Sequence, residues 1–102
     1  MKVILINGSP NKDGCTFTAL NEVAKSLEQN EIKTEIIHIG LENIRGCIAC
    51  RHCYKTNQCV FHDCVNEIAK KFEKCDGLVI GTPVYYASVN GTLLSFLDRL
   101  FY

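Results

Sequence analysis

The sequence has no excess of either charge: eleven Lys and Arg offset eleven Asp and Glu, giving a formal net charge of zero. That balance argues against the basic field of a nucleic-acid binder and against the polybasic face of a protein held on an anionic membrane. No apolar run approaches the length needed to cross a bilayer. The N-terminal MKVILINGSP has one Lys, a short apolar run and no small-residue cleavage site, so it reads as a first strand and not as a secretory leader. There is no internal repeat, low-complexity segment or linker. Neither GxxxxGK[ST] nor GxGxxG occurs, which removes the two commonest nucleotide fingerprints. His38, His52 and His62 lack a second histidine at ligand spacing.

What is present is ordinary globular composition, 47% hydrophobic and 22% charged, in a length that suits one domain over residues 1–102. With no leader and no span, the expected compartment is the cytoplasm, where thiols stay reduced. Seven cysteines, an odd number, speak against a complete disulfide framework. In a reducing compartment a tight thiol cluster is more often metal-binding or catalytic than structural.

Hydrophobic patterning gives a strand–helix alternation. KVILI, Lys2 to Ile6, is a nearly continuous branched apolar run, as in a strand buried on both faces of a parallel sheet. From Thr16 the residues Phe17, Leu20, Val23, Ala24 and Leu27 recur at helical spacing, with Asn30 as a left-handed stop. KTEIIHI, Lys33 to Ile39, reads as a second strand, and GLVIG, Gly77 to Gly81, as a third buried one. Asp63 can cap a helix with the stripe Val65, Ile68, Ala69 and Phe72, and a last, largely apolar helix is expected over Val89 to Phe101. The order β-α-β-(Cys loop)-α-β-α implies a three-layer α/β/α arrangement around a parallel sheet.

Ligands of such sheets bind beyond the carboxyl ends of the strands. The loop Gly8 to Thr16 ends at a helix N-terminus, whose unpaired N–H groups and dipole favour phosphate, with Ser9 and Thr16 hydroxyls to assist. A tight turn with a helix cap is the plainer alternative. The loop Gly81 to Gly91 sets Tyr85 and Tyr86 beside Pro83, a flat amphipathic surface for an aromatic ring. Alone, that pair reads first as half-buried packing.

LINGSPNKDGCT and GLVIGTPVYYASVNGTLLSFLDR together resemble the flavodoxin-like NADPH-dependent FMN reductases, and with the clustered cysteines the chain is most similar to their iron–sulfur flavoprotein branch. The resemblance implies a flavodoxin-like sheet of order 2-1-3. It implies FMN held at its phosphate by Ser9, Asn11, Cys15 and Thr16, and at its ring by Pro83, Val84, Tyr85, Tyr86 and Ala87, with Asn90 nearby. Such relatives often carry Arg at the position of Asn11 and Asn at that of Cys15, and they continue with two more strands beyond the equivalent of Tyr102. The chain is therefore expected to be the N-terminal part of a longer fold. The resemblance also implies a homodimer or homotetramer with FMN close to a subunit boundary, and NAD(P)H or a redox protein such as a ferredoxin as electron donor.

Within Gly46 to Cys59, the cysteines Cys47, Cys50, Cys53 and Cys59 form C-x2-C-x2-C-x5-C. Four thiolates are what an iron–sulfur cluster requires. Zinc also takes four, but its usual pattern is two separated C-x2-C pairs, and a loop of bare thiols is the third reading. The resemblance implies a 4Fe–4S cluster here. Cys64 and Cys75 suit a helix surface and its end. Arg51, His52 and Lys55 could tune a cluster, although solvation is the plainer role. The sequence thus points to an FMN-dependent, electron-transferring iron–sulfur flavoprotein. A cluster-free NAD(P)H-dependent FMN or quinone reductase and a non-enzymatic metal- or redox-sensing module are the competing readings. No side chain stands out as a catalytic acid or base.

Overall fold

The computed structural model describes residues 1–101. Its elements are β1 (Lys2–Asn7), α1 (Cys15–Gln29), β2 (Lys33–His38), α2 (Cys53–Thr56), α3 (Cys64–Glu73), β3 (Gly77–Gly81) and α4 (Gly91–Leu100). The three strands form one sheet in the order β2-β1-β3. Both pairings are parallel, with Lys2 opposite Lys33 and Val3 opposite Gly77. This is a flavodoxin-like α/β arrangement, as expected.

Strand β1 explains the layering. Successive side chains of a strand point to opposite faces, so Val3 and Leu5 meet Leu20 and Ala24 of α1 on one side. Ile4 and Ile6 join Ile39, Val65, Ile68, Leu93 and Phe96 under α3 and α4 on the other. Central position and two covered faces are why no polar residue stands between Lys2 and Asn7.

Helix α3 starts where expected, with the Asp63 carboxylate accepting from Val65 N at 3.1 Å. Helix α1 begins at Cys15, one residue before the expected start, and its end differs from expectation in kind. Asn30 has φ −100°, and the left-handed residue is Glu31, at φ 64°. Glu31 N donates to Glu28 O and Ile32 N to Leu27 O, both at 3.0 Å, the paired bonds of a Schellman ending. Leu27 and Ile32 then pack on the same apolar cluster. That packing holds a side-chain-bearing residue where glycine is usual.

Three further expectations are corrected. The last helix starts at Gly91, because Asn90 caps it and leaves Val89 outside. Its circumference is not uniformly apolar: Leu93 and Phe96 are buried, Leu94 faces out, and Arg99 is buried with them. Strand β3 is only half-buried, with Ile80 38% exposed, because it has β1 on one side and no strand on the other among the described residues. The one-turn helix α2 within the cysteine loop was not anticipated, since four residues carry no readable period.

Candidate functional site

Two buried asparagines shape the carboxyl ends of β1 and β3, and one of them joins the two. Asn7, the last residue of β1, accepts from Ser9 N at 3.0 Å and donates from Nδ2 to Lys12 O at 3.3 Å, shaping the loop that follows. Asn90, 4% exposed, donates from Nδ2 to Gly8 O, while its Oδ1 accepts from Leu93 N at 3.1 Å as the cap of α4. Its own N–H donates to Thr82 Oγ1 at 3.2 Å. Gly8 N donates to Gly81 O at 2.9 Å. One side chain thus ties the first loop, the second loop and a helix start into a joint.

Close approach needs small residues at two points. A Cβ on Gly40 would lie 1.8 Å from Ser9 O, and one on Gly81 would lie 2.8 Å from Thr16 Cγ2. The end of β3 therefore abuts the first turn of α1, which brings the two loops together. His38, ending β2, donates from Nε2 to Ser9 O at 2.7 Å, since a carbonyl can only accept.

The residues named for the phosphate gather around this turn. Ser9 is buried, and its hydroxyl accepts from Asn11 N at 3.1 Å. Asn11 and Cys15 are exposed and Thr16 is half-buried. Gly14 occupies the cap of α1 without a side-chain bond to the helix, so the first-turn N–H groups are not claimed by a capping side chain. In the second loop, Tyr85 and Ser88 exchange backbone bonds of 2.9 and 3.0 Å. The two residues between them, Tyr86 and Ala87, have φ 52° and 62°. This is the two-residue turn with both centres left-handed, normally given to Asn and Gly. It leaves Tyr86 101%, Val84 76% and Tyr85 50% exposed, with Pro83 half-buried beneath. Uncapped N–H groups at the end of one loop and exposed aromatics on the other suit a phosphorylated, flat heterocycle.

Cys47, Cys50, Cys53 and Cys59 all line one cavity of about 370 Å³, with Phe61 and Arg99 among its other walls. Cys47 and Cys50 are exposed, Cys53 and Cys59 half-buried. Left-handed backbone at Ala49, Arg51 and Asn57 wraps the loop around that cavity. Cys47 Sγ accepts from Ala49 N, and Cys59 Sγ from Arg99 Nε, each at 3.3 Å. Asn66 of α3 brackets the Cys59 backbone, accepting from its N–H at 2.9 Å and donating to its carbonyl at 3.0 Å. Among the described residues, no three His, Cys, Asp or Glu side chains converge closely enough to hold an ion. Four thiols line one cavity, with N–H groups aimed at two of the sulfurs, and four thiolates are a donor set that either an iron–sulfur centre or zinc can use.

The other two thiols stand apart. Cys64 packs against the core under α3, and burial, with the Asp63 carboxylate next, pushes its thiol up to about 11. Cys75 donates from Sγ to Phe72 O at 3.1 Å. His52, Arg51 and Lys55 are exposed.

Arg99 is the feature that sequence reasoning missed. Its side chain is fully buried and forms a fork with Asp63: Nη1 to Oδ2 at 2.6 Å and Nη2 to Oδ1 at 2.8 Å. It also donates to Arg45 O at 3.1 Å and Phe61 O at 3.4 Å. Its guanidinium lies 5.2 Å from the Phe61 ring centre. Burial works against its charge, but the Asp63 and Cys59 contacts prevail and hold its pKa above the usual arginine value. The available signal was its spacing, three residues after Phe96 on the buried face of α4.

A family model for NADPH-dependent FMN reductases matches residues 1–102. Among curated relatives, an iron–sulfur flavoprotein of Methanocaldococcus jannaschii is 36% identical over 99 residues, covering 97% of this chain and 51% of the relative. One of Archaeoglobus fulgidus is 33% identical over 100 residues, covering 98% and 46%. One of Clostridioides difficile is 35% identical over 102 residues, covering 97% and 45%. The chain thus spans about half the length of the curated relatives it matches.

Proposed function

Because the chain belongs to the NADPH-dependent FMN reductase family, we propose that it is an FMN-dependent oxidoreductase of the iron–sulfur flavoprotein kind, with FMN at the joined loops and a 4Fe–4S cluster on the cysteine loop. The observation that carries this reading is the joint itself. The loop that leads to an uncapped helix start and the loop that carries the exposed tyrosines are bonded to each other at the carboxyl edge of a parallel sheet. Bound FMN supplies hydride or two-electron chemistry, and a cluster supplies single-electron transfer.

The chain's own residues position and shield. The N–H groups of Cys15 and Thr16, with the Thr16 hydroxyl and the Asn11 side chain, would hold the phosphate, and Ser9 fixes the turn that carries Asn11. Pro83, Val84, Tyr85, Tyr86 and Ala87 form the shelf for the ring, and Asn90 keeps that shelf at a fixed distance from the phosphate turn. Cys47, Cys50, Cys53 and Cys59 are the cluster ligands in this reading. NAD(P)H or a ferredoxin-like protein is the donor class, and a homodimer or homotetramer the assembly.

FMN titration, with iron and acid-labile sulfide assayed after anaerobic reconstitution, tests the reading. Saturable FMN binding and about four irons per chain are expected, by four-thiolate ligation of a cubane. FMN without iron would favour the cluster-free reductase. Iron or zinc without FMN would favour a metal- or redox-sensing module.

A further inference from the structure

Resting on that reading of the cysteine loop, we propose that Arg99 is a positioning residue for the cluster, whose Nε–H bond to Cys59 holds the fourth ligand and raises the cluster's reduction potential. The five N–H groups of its guanidinium are all engaged. Four go to Asp63 and to the carbonyls of Arg45 and Phe61, and the fifth goes to Cys59 Sγ at 3.3 Å. A guanidinium locked by four oxygen contacts cannot swing, so the fifth bond has a fixed direction.

Cys59 is the ligand that needs such help. It lies beyond the five-residue gap, apart from the closely spaced Cys47, Cys50 and Cys53. Asn66 sets its backbone from one side, and Arg99 reaches its sulfur from α4. Ordering a fourth ligand in advance slows loss of metal. The second effect is electrostatic. A thiolate-bound cluster grows more negative when it accepts an electron. An N–H aimed at a ligating sulfur, on a cation removed from water, stabilises that form most. Asp63 offsets part of the charge but leaves the directed bond in place.

Arg45 is a built-in control. Its guanidinium carbon lies 5.1 Å from the same Phe61 ring, it is exposed, and among the described residues the N–H bonds to sulfur come from Ala49 and Arg99 instead. The experiment is a mediated redox titration of reconstituted wild type, Arg99→Lys, Arg99→Gln and Arg45→Gln, followed by visible absorbance, with iron release to a chelator timed in parallel. Arg99→Gln should have a more negative cluster midpoint and lose iron several-fold faster. Arg99→Lys, which keeps the charge but not the directed Nε–H, should fall between it and wild type. Arg45→Gln should match wild type. Should Arg99→Gln fail to fold, Arg99→Lys against wild type decides. Coincident midpoints and release rates, or an equal shift in Arg45→Gln, would overturn the role of Arg99 alone. A wild-type chain that takes up no iron would overturn the cluster reading and this inference with it.

Discussion

Replacing Asn90 by alanine removes the cap of α4 and leaves the Gly8 carbonyl without its buried donor. A lost cap costs about 1 kcal/mol and an orphaned buried acceptor about 1–3 kcal/mol. Asn90→Ala is therefore expected to lower stability by roughly 2–4 kcal/mol by those magnitudes, read as a drop in the urea midpoint at unchanged slope. Asn90→Asp keeps the capping oxygen but sets a second oxygen against Gly8 O, so it should rescue little. A change of only a few tenths would show that the loops are held by something else. Asn90 and Arg99 share a lesson about legibility. Both are polar, both lie where the apolar pattern runs out or is interrupted, and both take their role from a distant partner. Gly8 is 82 residues from Asn90, and Cys59 is 40 from Arg99. Spacing cannot reveal such pairs; only the sheet order brings them together.

At the scale of elements, strands and helices followed from period and branching, because β1 is covered on both faces and α1 and α3 on one. Ends were less legible, since they are set by single bonds. Glu31 illustrates this. A side-chain-bearing residue in left-handed backbone costs about 1–2 kcal/mol, against roughly 0.5–1 kcal/mol for the extra unfolded freedom of glycine. Glu31→Gly should raise stability by a few tenths to about 1 kcal/mol, the difference of those two terms, measured by urea unfolding. Glu35 tests the packing of β2 against its neighbours. It pairs with Lys71 of α3 at 2.6 Å and with Lys2 of β1 at 3.2 Å. The hydrogen bond from Lys71, chiefly, outweighs burial and holds its carboxyl below 4.5. A lowered folded pKa means the charged form is favoured by folding. Its contribution is thus fully present above pH 4.5 and is lost as pH falls through the lower folded value. Wild type should exceed Glu35→Gln by no more than about 1 kcal/mol at neutral pH, the range of exposed pairs. The two unfolding curves should meet in acid.

For the whole molecule the open side of β3 matters most. Ile80 of that strand is 38% exposed, and Leu94 and Phe101 are 47 and 59% exposed, as are the tyrosines of the second loop. An unpaired strand edge with apolar neighbours is a template for association. Sedimentation at micromolar concentration is expected to give at least a dimer, and Leu94→Lys should shift it towards monomer. A wild-type monomer with slowly exchanging β3 amides would show the edge to be covered within the chain. The strand–helix succession could be read from three apolar runs, whereas the sheet order β2-β1-β3 followed from the family resemblance. The cavity under the cysteine loop could not, because its walls come from α3 and α4 as well as from the loop.

The asparagine joint also sets how the protein ages. Asn7 precedes Gly8 and Asn90 precedes Gly91. Glycine is the neighbour that least hinders attack of the next backbone nitrogen on the side-chain amide, the route by which asparagine loses ammonia and becomes aspartate or its isomer. Asparagine is among the thermolabile residues for this reason. In the folded chain both amides are tied by hydrogen bonds and shielded from water, so the reaction must wait for the joint to open. Peptide mapping by mass spectrometry after warm incubation should find both sites largely intact in native protein and converted in urea. Appreciable native conversion at Asn90 would mean frequent opening. Each event would leave a carboxylate facing the Gly8 carbonyl, so wear at the joint would be self-reinforcing.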